Sequence, residues 1–437
     1  DEEIKGLEEI QDYGEIDEHE ESEEYEEKDG HEEMLNEASS PVVRLVDQVL
    51  VAAYRKDVSD IHIEPSDGSR TTSIRFRVDG VCQDYIQVPN SMAGGILSRL
   101  KTMANLDITE SCLPQDGKIR FKYDNIPPFD LRLTTIPTTG GLEDAVLRII
   151  ADPCAMKLDE MGLSERDLNV MKKVSVQPCG LMLVVGPTGS GKTTFLHSLL
   201  GSINNKGVKI WTVEDPVEIL QDGLRQVEVR PEIGLDFARI MRSILTADPD
   251  VIMVDEIQDY ESVSIGIKAS FTGHLVLSSL HANRGPEAVI SLLDMGLNPL
   301  NLSDAFIGVL AQRLVRKLCT KCRKAYHPSR EEFEKMVTDY GKEEFEEMKV
   351  ELTPDLSLYR PVGCELCSQT GYKGRLGIYE LMEGTPEIKR LIRKEASLKR
   401  LIEQAVRDGM TTLKQDGVNK VFLGLTDIDE VRRVCIG

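Results

Sequence analysis

Hydrophobic and polar positions follow two different rhythms along this chain. From Val42 to Ala53 (VVRLVDQVLVAA) apolar residues recur at three- and four-residue spacing, which predicts a helix. Four alternating stretches follow: DIHIEP (60–65), SIRFRVDG (73–80), GKIRFKYD (117–124) and FDLRLTTIP (129–137). Period-two patterning bounded by Gly, Pro and Asp predicts strands of a half-buried sheet. A helix-like run from Met92 to Leu106 would cover it, so residues 41–152 are expected to form a small α+β domain. After a helix capped at Ser164 the rhythm changes. LMLVV (181–185), VKIWTV (208–213), VIMVDE (251–256) and LVLSSL (275–280) are continuously apolar, and helical stretches such as TTFLHSLLGSI (193–203) separate them. Strands buried on both faces and joined by crossover helices predict a parallel α/β sheet over residues 153–318. Paired cysteines bracket a Glu- and Lys-rich stretch at 319–371, and residues 372–437 read as small amphipathic helices, one starting at Thr385 with Pro386 in its first turn.

Charge changes the picture only at the start of the chain. Of the formal net charge of −23, the stretch from Asp1 to Glu37 carries 19 Asp or Glu against 2 Lys, so the other 400 residues hold only −6. A polyanion this poor in apolar residues cannot offset its ordering entropy, and residues 1–40 are expected to be a disordered acidic linker. The chain opens at Asp1, inside that linker, so a further segment N-terminal to it is expected. No apolar stretch approaches the ~18 to 20 residues that span a bilayer, and no basic-then-apolar leader occurs, which predicts a cytoplasmic protein without a direct membrane span. The mildly acidic body shows no basic stripe with interleaved aromatics, so no nucleic-acid partner is expected.

Candidate chemistry concentrates in the second half. GPTGSGKT, Gly186 to Thr193, lies between a buried strand and a helix, the context a phosphate-binding loop requires. Its backbone from Gly186, Pro187, Thr188, Gly189, Ser190 and Gly191 on to Lys192, Thr193 and Thr194 would cradle nucleotide phosphates at a helix N-terminus. Lys192 would reach the β- and γ-phosphates and Thr193 would ligate magnesium. In DPDVIMVDEI, Asp255 and Glu256 fall at the end of a second buried strand, where ligands of α/β sheets sit. Glu256 is the expected catalytic base and Asp255 an outer ligand of magnesium; the plainer reading is that both acids cap the next helix. TVEDPVE (212–218) contributes Glu214, Asp215 and Glu218, and TGHLVLSSLH (272–281) contributes His274 and His281, although isolated histidines are more often structural. Cys319 and Cys322, then Cys364 and Cys367, form two CxxC knuckles suited to a closed tetrahedral structural zinc site.

Read together, GPTGSGKT, TVEDPVE, DPDVIMVDEI, TGHLVLSSLH and AQRLVRKLC resemble the secretion and pilus-assembly ATPases, the GspE/PilB branch of the type II/type IV secretion superfamily. SDIHIEP, IRFRVDG, LPQDGKIRF and GYKGRLGIYEL extend the likeness from Pro41 nearly to the end. The resemblance implies a RecA-like P-loop core preceded by a PAS-like α+β domain, with a zinc insertion and a C-terminal helical region. It also implies a homo-hexamer that hydrolyses ATP with Mg2+ and docks on cytoplasmic domains of inner-membrane secretion or pilus platform proteins. Arg132 and Arg148 match arginines that the family's first domain extends to the nucleotide, and Arg242 matches a core arginine before the DPD turn. Glu214 and His281, placed by their strand ends beside the γ-phosphate edge, are expected to assist catalysis. Three positions depart from the family's common pattern: Asp255 stands for glycine, Gln258 for arginine and Thr246 for arginine. Two fewer cations and one more carboxylate should weaken phosphate attraction. The expected function is therefore a motor for pseudopilus assembly in type II secretion. Type IV pilus extension and a nucleotide-gated scaffold with little hydrolysis are the alternatives.

Overall fold

The computed structural model describes residues 40–68, 70–150, 156–257 and 259–435, so the expected acidic linker up to Ser39, Cys154 and Gln258 lie outside the described residues. The chain divides into two compact units, Asp1–Asp152 and Pro153–Gly437.

The first unit is an antiparallel sheet of β1 (Asp60–Glu64), β2 (Thr71–Val78), β3 (Val81–Pro89), β4 (Gln115–Tyr123), β5 (Ile126–Pro137) and β6 (Glu143–Ile150), in the order β3-β2-β1-β6-β5-β4. Alternation sends Ile61, Ile63, Ile74, Phe76, Ile119, Phe121, Leu131, Leu133 and Leu147 into one core, which the helices Pro41–Arg55 and Ala93–Met103 cover. The register aligns Lys118, Arg132, Arg148, Asp60 and Arg77 as one row across β4, β5, β6, β1 and β2. β3 and β6 were not legible as alternating stretches: β3 is an edge strand with one buried residue, Val88.

In the second unit β7 (Gly180–Val185), β8 (Ile210–Glu214), β9 (Leu224–Glu228), β10 (Val251–Val254), β11 (Leu275–Leu280) and β12 (Phe306–Leu318) are parallel, in the order β12-β7-β11-β10-β8-β9. Every residue of β7, β10 and β11 is buried, as expected for a sheet covered on both faces. Beyond β12 come the short pair β13 (Lys324–Tyr326) and β14 (Leu358–Arg360) and the helices Arg330–Tyr340 and Lys342–Glu347. Tyr372–Glu383, inside the stretch expected to be helical, is instead strand β15, antiparallel to β12 along the edge of the core sheet. Its run from Gly377 to Met382 is buried throughout, a burden that suits a strand better than a surface helix. Helices follow from Pro386 onward. The first is capped as expected, with the Thr385 hydroxyl accepting from Ile388 N–H, and Ile388, Ile392, Leu401 and Met410 join the core of the sheet.

Candidate nucleotide and metal sites

β7 ends in the interior, so the loop that follows starts from a fixed point. Gly189 (φ 75°) and Gly191 (φ 86°) adopt left-handed conformations that favour glycine. The neighbouring strand β12 also walls the loop closely. A Cβ on Gly191 would come within 2.8 Å of Gln312 Nε2, and one on Gly186 within 2.6 Å of Gln312 O. Pro187, Thr188 and Gly189 form the exposed tip, whereas Ser190 is buried and its Oγ has no partner among the described residues. The helix Lys192–Ile203 then begins. Lys192 Nζ donates to Gly186 O (3.0 Å) and Pro187 O (3.3 Å), lying back over the loop. Burial lowers its pKa, against the pull of Glu256 and Asp255. A loop of this shape, lined by glycines at close approaches and carrying an amine with no carboxylate directly on it, fits a phosphate chain.

The carboxylates face this loop from the end of β10. Thr193 Oγ1 donates to Asp255 Oδ1 at 3.3 Å, which joins two of the groups expected at magnesium. Burial, reinforced by the negative Glu214 and Glu218, raises the Asp255 carboxyl from its usual 3.8 to about 7. Glu214, fully buried at the end of β8, accepts from Thr212 Oγ1 (2.6 Å) and Gln226 Nε2 (2.9 Å) and lies 3.3 Å from His197 Nε2. Burial alone would raise the Glu214 pKa, but hydrogen bonds from His197, Gln226 and Thr212 hold it below the ordinary carboxylate value. The other His197 nitrogen, Nδ1, is 3.0 Å from Gln221 Oε1. Burial opposes charge on His197, yet its oxygen partners outweigh that and raise its pKa, which favours the charged imidazole in this buried contact between the phosphate-loop helix and β8. Glu256, next along, takes His281: Nε2 to Oε1 is 2.8 Å, and both side chains are partly open to solvent. His274 is placed elsewhere, with Nδ1 2.8 Å from Ala269 O and 3.0 Å from Thr272 Oγ1 at a helix end.

The four knuckle cysteines converge. The Sγ atoms of Cys319, Cys322, Cys364 and Cys367 all lie within 4.8 Å of one another. The separations 319–364, 322–367 and 364–367 are 3.9, 3.8 and 3.7 Å. A tetrahedron with Zn–S bonds of ~2.3 Å has sulfur edges of ~3.8 Å, so the set already has the size a zinc ion needs. Backbone N–H groups of Cys364 and Gly371 donate to Cys367 Sγ, each at 3.2 Å, and that of Gly363 to Cys322 Sγ at 3.4 Å. Burial would raise the Cys367 pKa, but the Cys364 and Gly371 N–H groups and the neighbouring thiols bring it down to about 6, while Cys322 in the same cluster is pushed up to about 11.

Residues 36–433 match the model of a family described as Type II/IV secretion system protein. This chain belongs to that family of secretion ATPases. It is 41% identical over 398 residues to the type IV pilus assembly ATPase PilB of Myxococcus xanthus, covering 90% of this chain and 67% of that protein. It is 40% identical over 396 residues to the type II secretion system protein E of Aeromonas hydrophila, covering 90% and 76%. Among solved structures, the ATPase DotB of Legionella pneumophila shares the fold with a TM-score of 0.64 at 18% identity, covering 92% of this chain and 97% of that one. The retraction motor PilT with bound ADP shares it with a TM-score of 0.57 at 22% identity, covering 90% and 97%.

The remaining candidates of this secretion ATPase each have a carboxylate partner within their own unit. Arg242 has Glu261, on the helix Tyr260–Phe271, as its partner. In the first unit Arg148 Nε lies 3.0 Å from Asp60 Oδ1, and Arg132 Nε lies 3.5 Å from Asp116 Oδ1. Each is substantially exposed. No local motif marks His197 or Gln226, whose shared partner Glu214 lies on β8, and within AQRLVRKLC nothing local distinguishes Gln312 as the wall of the loop.

Proposed function

We propose that this secretion ATPase is a Mg-ATP-hydrolysing hexameric motor that powers pseudopilus assembly in type II secretion. The observation that carries the hydrolytic reading is the 2.8 Å contact between His281 and Glu256 at the strand end facing the phosphate loop. Glu256 is the base that takes a proton from the attacking water, and His281 orients its carboxylate. Lys192 exchanges its loop carbonyls for phosphate oxygens, and the amides of Gly186 to Thr194 bind the chain of phosphates. The Thr193 hydroxyl and Asp255 are the groups that would hold magnesium, which neutralises phosphate charge during transfer. Glu214, fixed by His197, keeps the second acidic strand end in place. Arg132 and Arg148 complete the site within an assembled ring, and Arg242 supports the core helix before the DPD turn. A zinc ion on Cys319, Cys322, Cys364 and Cys367 is structural. Docking on platform proteins would hold the ring at the inner membrane; among the described residues no helix is long and apolar enough to cross one.

The wording TVEDPVE, FARIMRSIL and VLAQRLVRKLC supports secretion over pilus extension. Relatives at similar identity carry both names, so pilus assembly remains the second reading. Disruption of the gene in its source strain tests the choice. Lost export of secreted enzymes with surface pili intact is expected, and lost pili with intact export would replace the first reading by the second. Phosphate release by the purified chain, with Glu256→Gln as control, tests the motor itself. No Glu256-dependent turnover at any protein concentration would leave the scaffold reading.

A further inference from the structure

Arg313 follows Gln312 on β12, the strand that walls the phosphate loop. Its guanidinium is partly buried and donates only to neutral acceptors: Gln312 O (3.0 Å), Asn283 O (3.1 Å) and Asn283 Oδ1 (3.2 Å). Among the described residues no carboxylate lies within ion-pair distance of it. The acids its charge feels, Glu380 and Glu287, stand farther off, and Glu380 is already engaged by Arg284 (3.2 Å) and Gly285 N–H (3.1 Å). A partly buried cation without a counter-ion is costly to the empty protein and calls for an anion.

Its surroundings indicate where that anion belongs. Asn283, which anchors the guanidinium, is two residues past His281, the partner of Glu256. Arg313 also acts electrostatically on Lys192, whose proton it disfavours. At the loop itself two buried polar atoms, Gln312 Oε1 and Ser190 Oγ, have no partner among the described residues, on residues only 1% and 3% exposed. Arg313 thus adjoins the phosphate loop through the Gln312 backbone: Gln312 O, which accepts from its guanidinium, would lie within 2.6 Å of a Cβ on Gly186.

We propose that Arg313 is a ligand of the terminal phosphate of bound ATP, supplied by the same subunit that supplies the phosphate loop. The proposal rests on that loop's being the nucleotide site. Arg313 leaves the Asn283 and Gln312 oxygens when the triphosphate arrives and separates ATP from ADP, since only ATP brings the additional charged group to this end of the site.

Calorimetric titration of the full chain with Mg-ATP and with Mg-ADP tests this in the wild type, Arg313→Gln, Arg313→Lys and Lys192→Ala. Arg313→Gln is expected to weaken ATP about tenfold or more and ADP by less than about threefold, with Arg313→Lys between it and the wild type. Its nucleotide-free melting temperature should not fall, because an uncompensated charge is removed. Unchanged ATP affinity in Arg313→Gln would overturn the proposal. So would equal weakening of both nucleotides with a lowered melting temperature, the mark of a structural arginine. If the wild type bound ATP no better than Lys192→Ala, the nucleotide-site reading itself would fail and take this one with it.

Discussion

Replacing Asp255 with asparagine should stabilise the nucleotide-free protein above neutral pH, by an amount that shrinks as the pH falls. The carboxyl is held at about 7 instead of 3.8 by burial and by the charges of Glu214 and Glu218. Between those values it is protonated in the folded chain and ionised in the unfolded one. Stability is therefore lost as pH rises through that window and stays lost above it. A pKa difference of about 3 corresponds to at most about 4 kcal/mol. Water and side-chain relaxation in a site open to nucleotide should leave ~1–2 kcal/mol of this. Asparagine keeps an oxygen for the Thr193 hydroxyl, now 3.3 Å from Asp255 Oδ1, and introduces no charge. Scanning calorimetry without nucleotide or magnesium at about pH 8.5 should show the second unit melting higher in the variant by ~2–6 °C. At about pH 5 the gain should shrink to about a third, because most of the titration window lies above that pH. A variant that melts lower than the wild type at both pH values, or higher by the same amount at both, would refute the reasoning. In either case Asp255 would not be the strained acid of this site.

Glu256→Gln should lower phosphate release by about 100-fold or more while ATP still binds, as checked by turnover beside a binding titration. Metal analysis of protein purified without added chelator should find one zinc per chain. Cys367→Ser should lose it and melt at lower temperature, since the thiolate most favoured by N–H donors is gone. Lys420→Met should cost about 3–5 kcal/mol in denaturant unfolding, for it strands a buried carboxylate. Lys420 Nζ lies 2.6 Å from Asp416 Oδ2, which also accepts from Tyr379 N–H at 2.8 Å.

What was legible in the sequence was local. The phosphate loop announces itself because strand, glycines, lysine and helix are contiguous, and the cysteine knuckles because each pair is three residues apart. The half-buried strands of the first unit were legible because a single sheet face sets their period. β12 was harder, since FIGVLAQRLVRKL carries apolar residues at helical spacing as well as a continuous apolar start. It becomes a strand because β7 and β15 occupy both its edges, a fact of tertiary structure. The electrostatics of the site were equally out of reach. Asp255 owes its raised pKa to burial and to Glu214 and Glu218, some forty residues earlier, and Glu214 owes its lowered one to His197 on the phosphate-loop helix. The partner of Arg242 was likewise out of reach: Glu261 lies nineteen residues on, on the adjacent helix.

β12 also has a mechanical consequence. At ~3.3 Å per residue its 13 residues extend over about 43 Å, paired along one side with β15 apart from a register shift between Arg316 and Leu318. One part of the strand lies against the phosphate loop, and the next residue after its end is Cys319. The Leu318 N–H is tied to Leu425 O, and Arg316 to Glu430 at 2.6 Å. From Gln312 to Arg316 the strand keeps one register with β15, so a displacement at Gln312 is carried as far as Arg316 and meets the register shift just before Cys319. Motion of the phosphate loop should therefore reach the cysteine cluster through Arg316 and Leu318, where the ties to Glu430 and Leu425 govern how much of it passes.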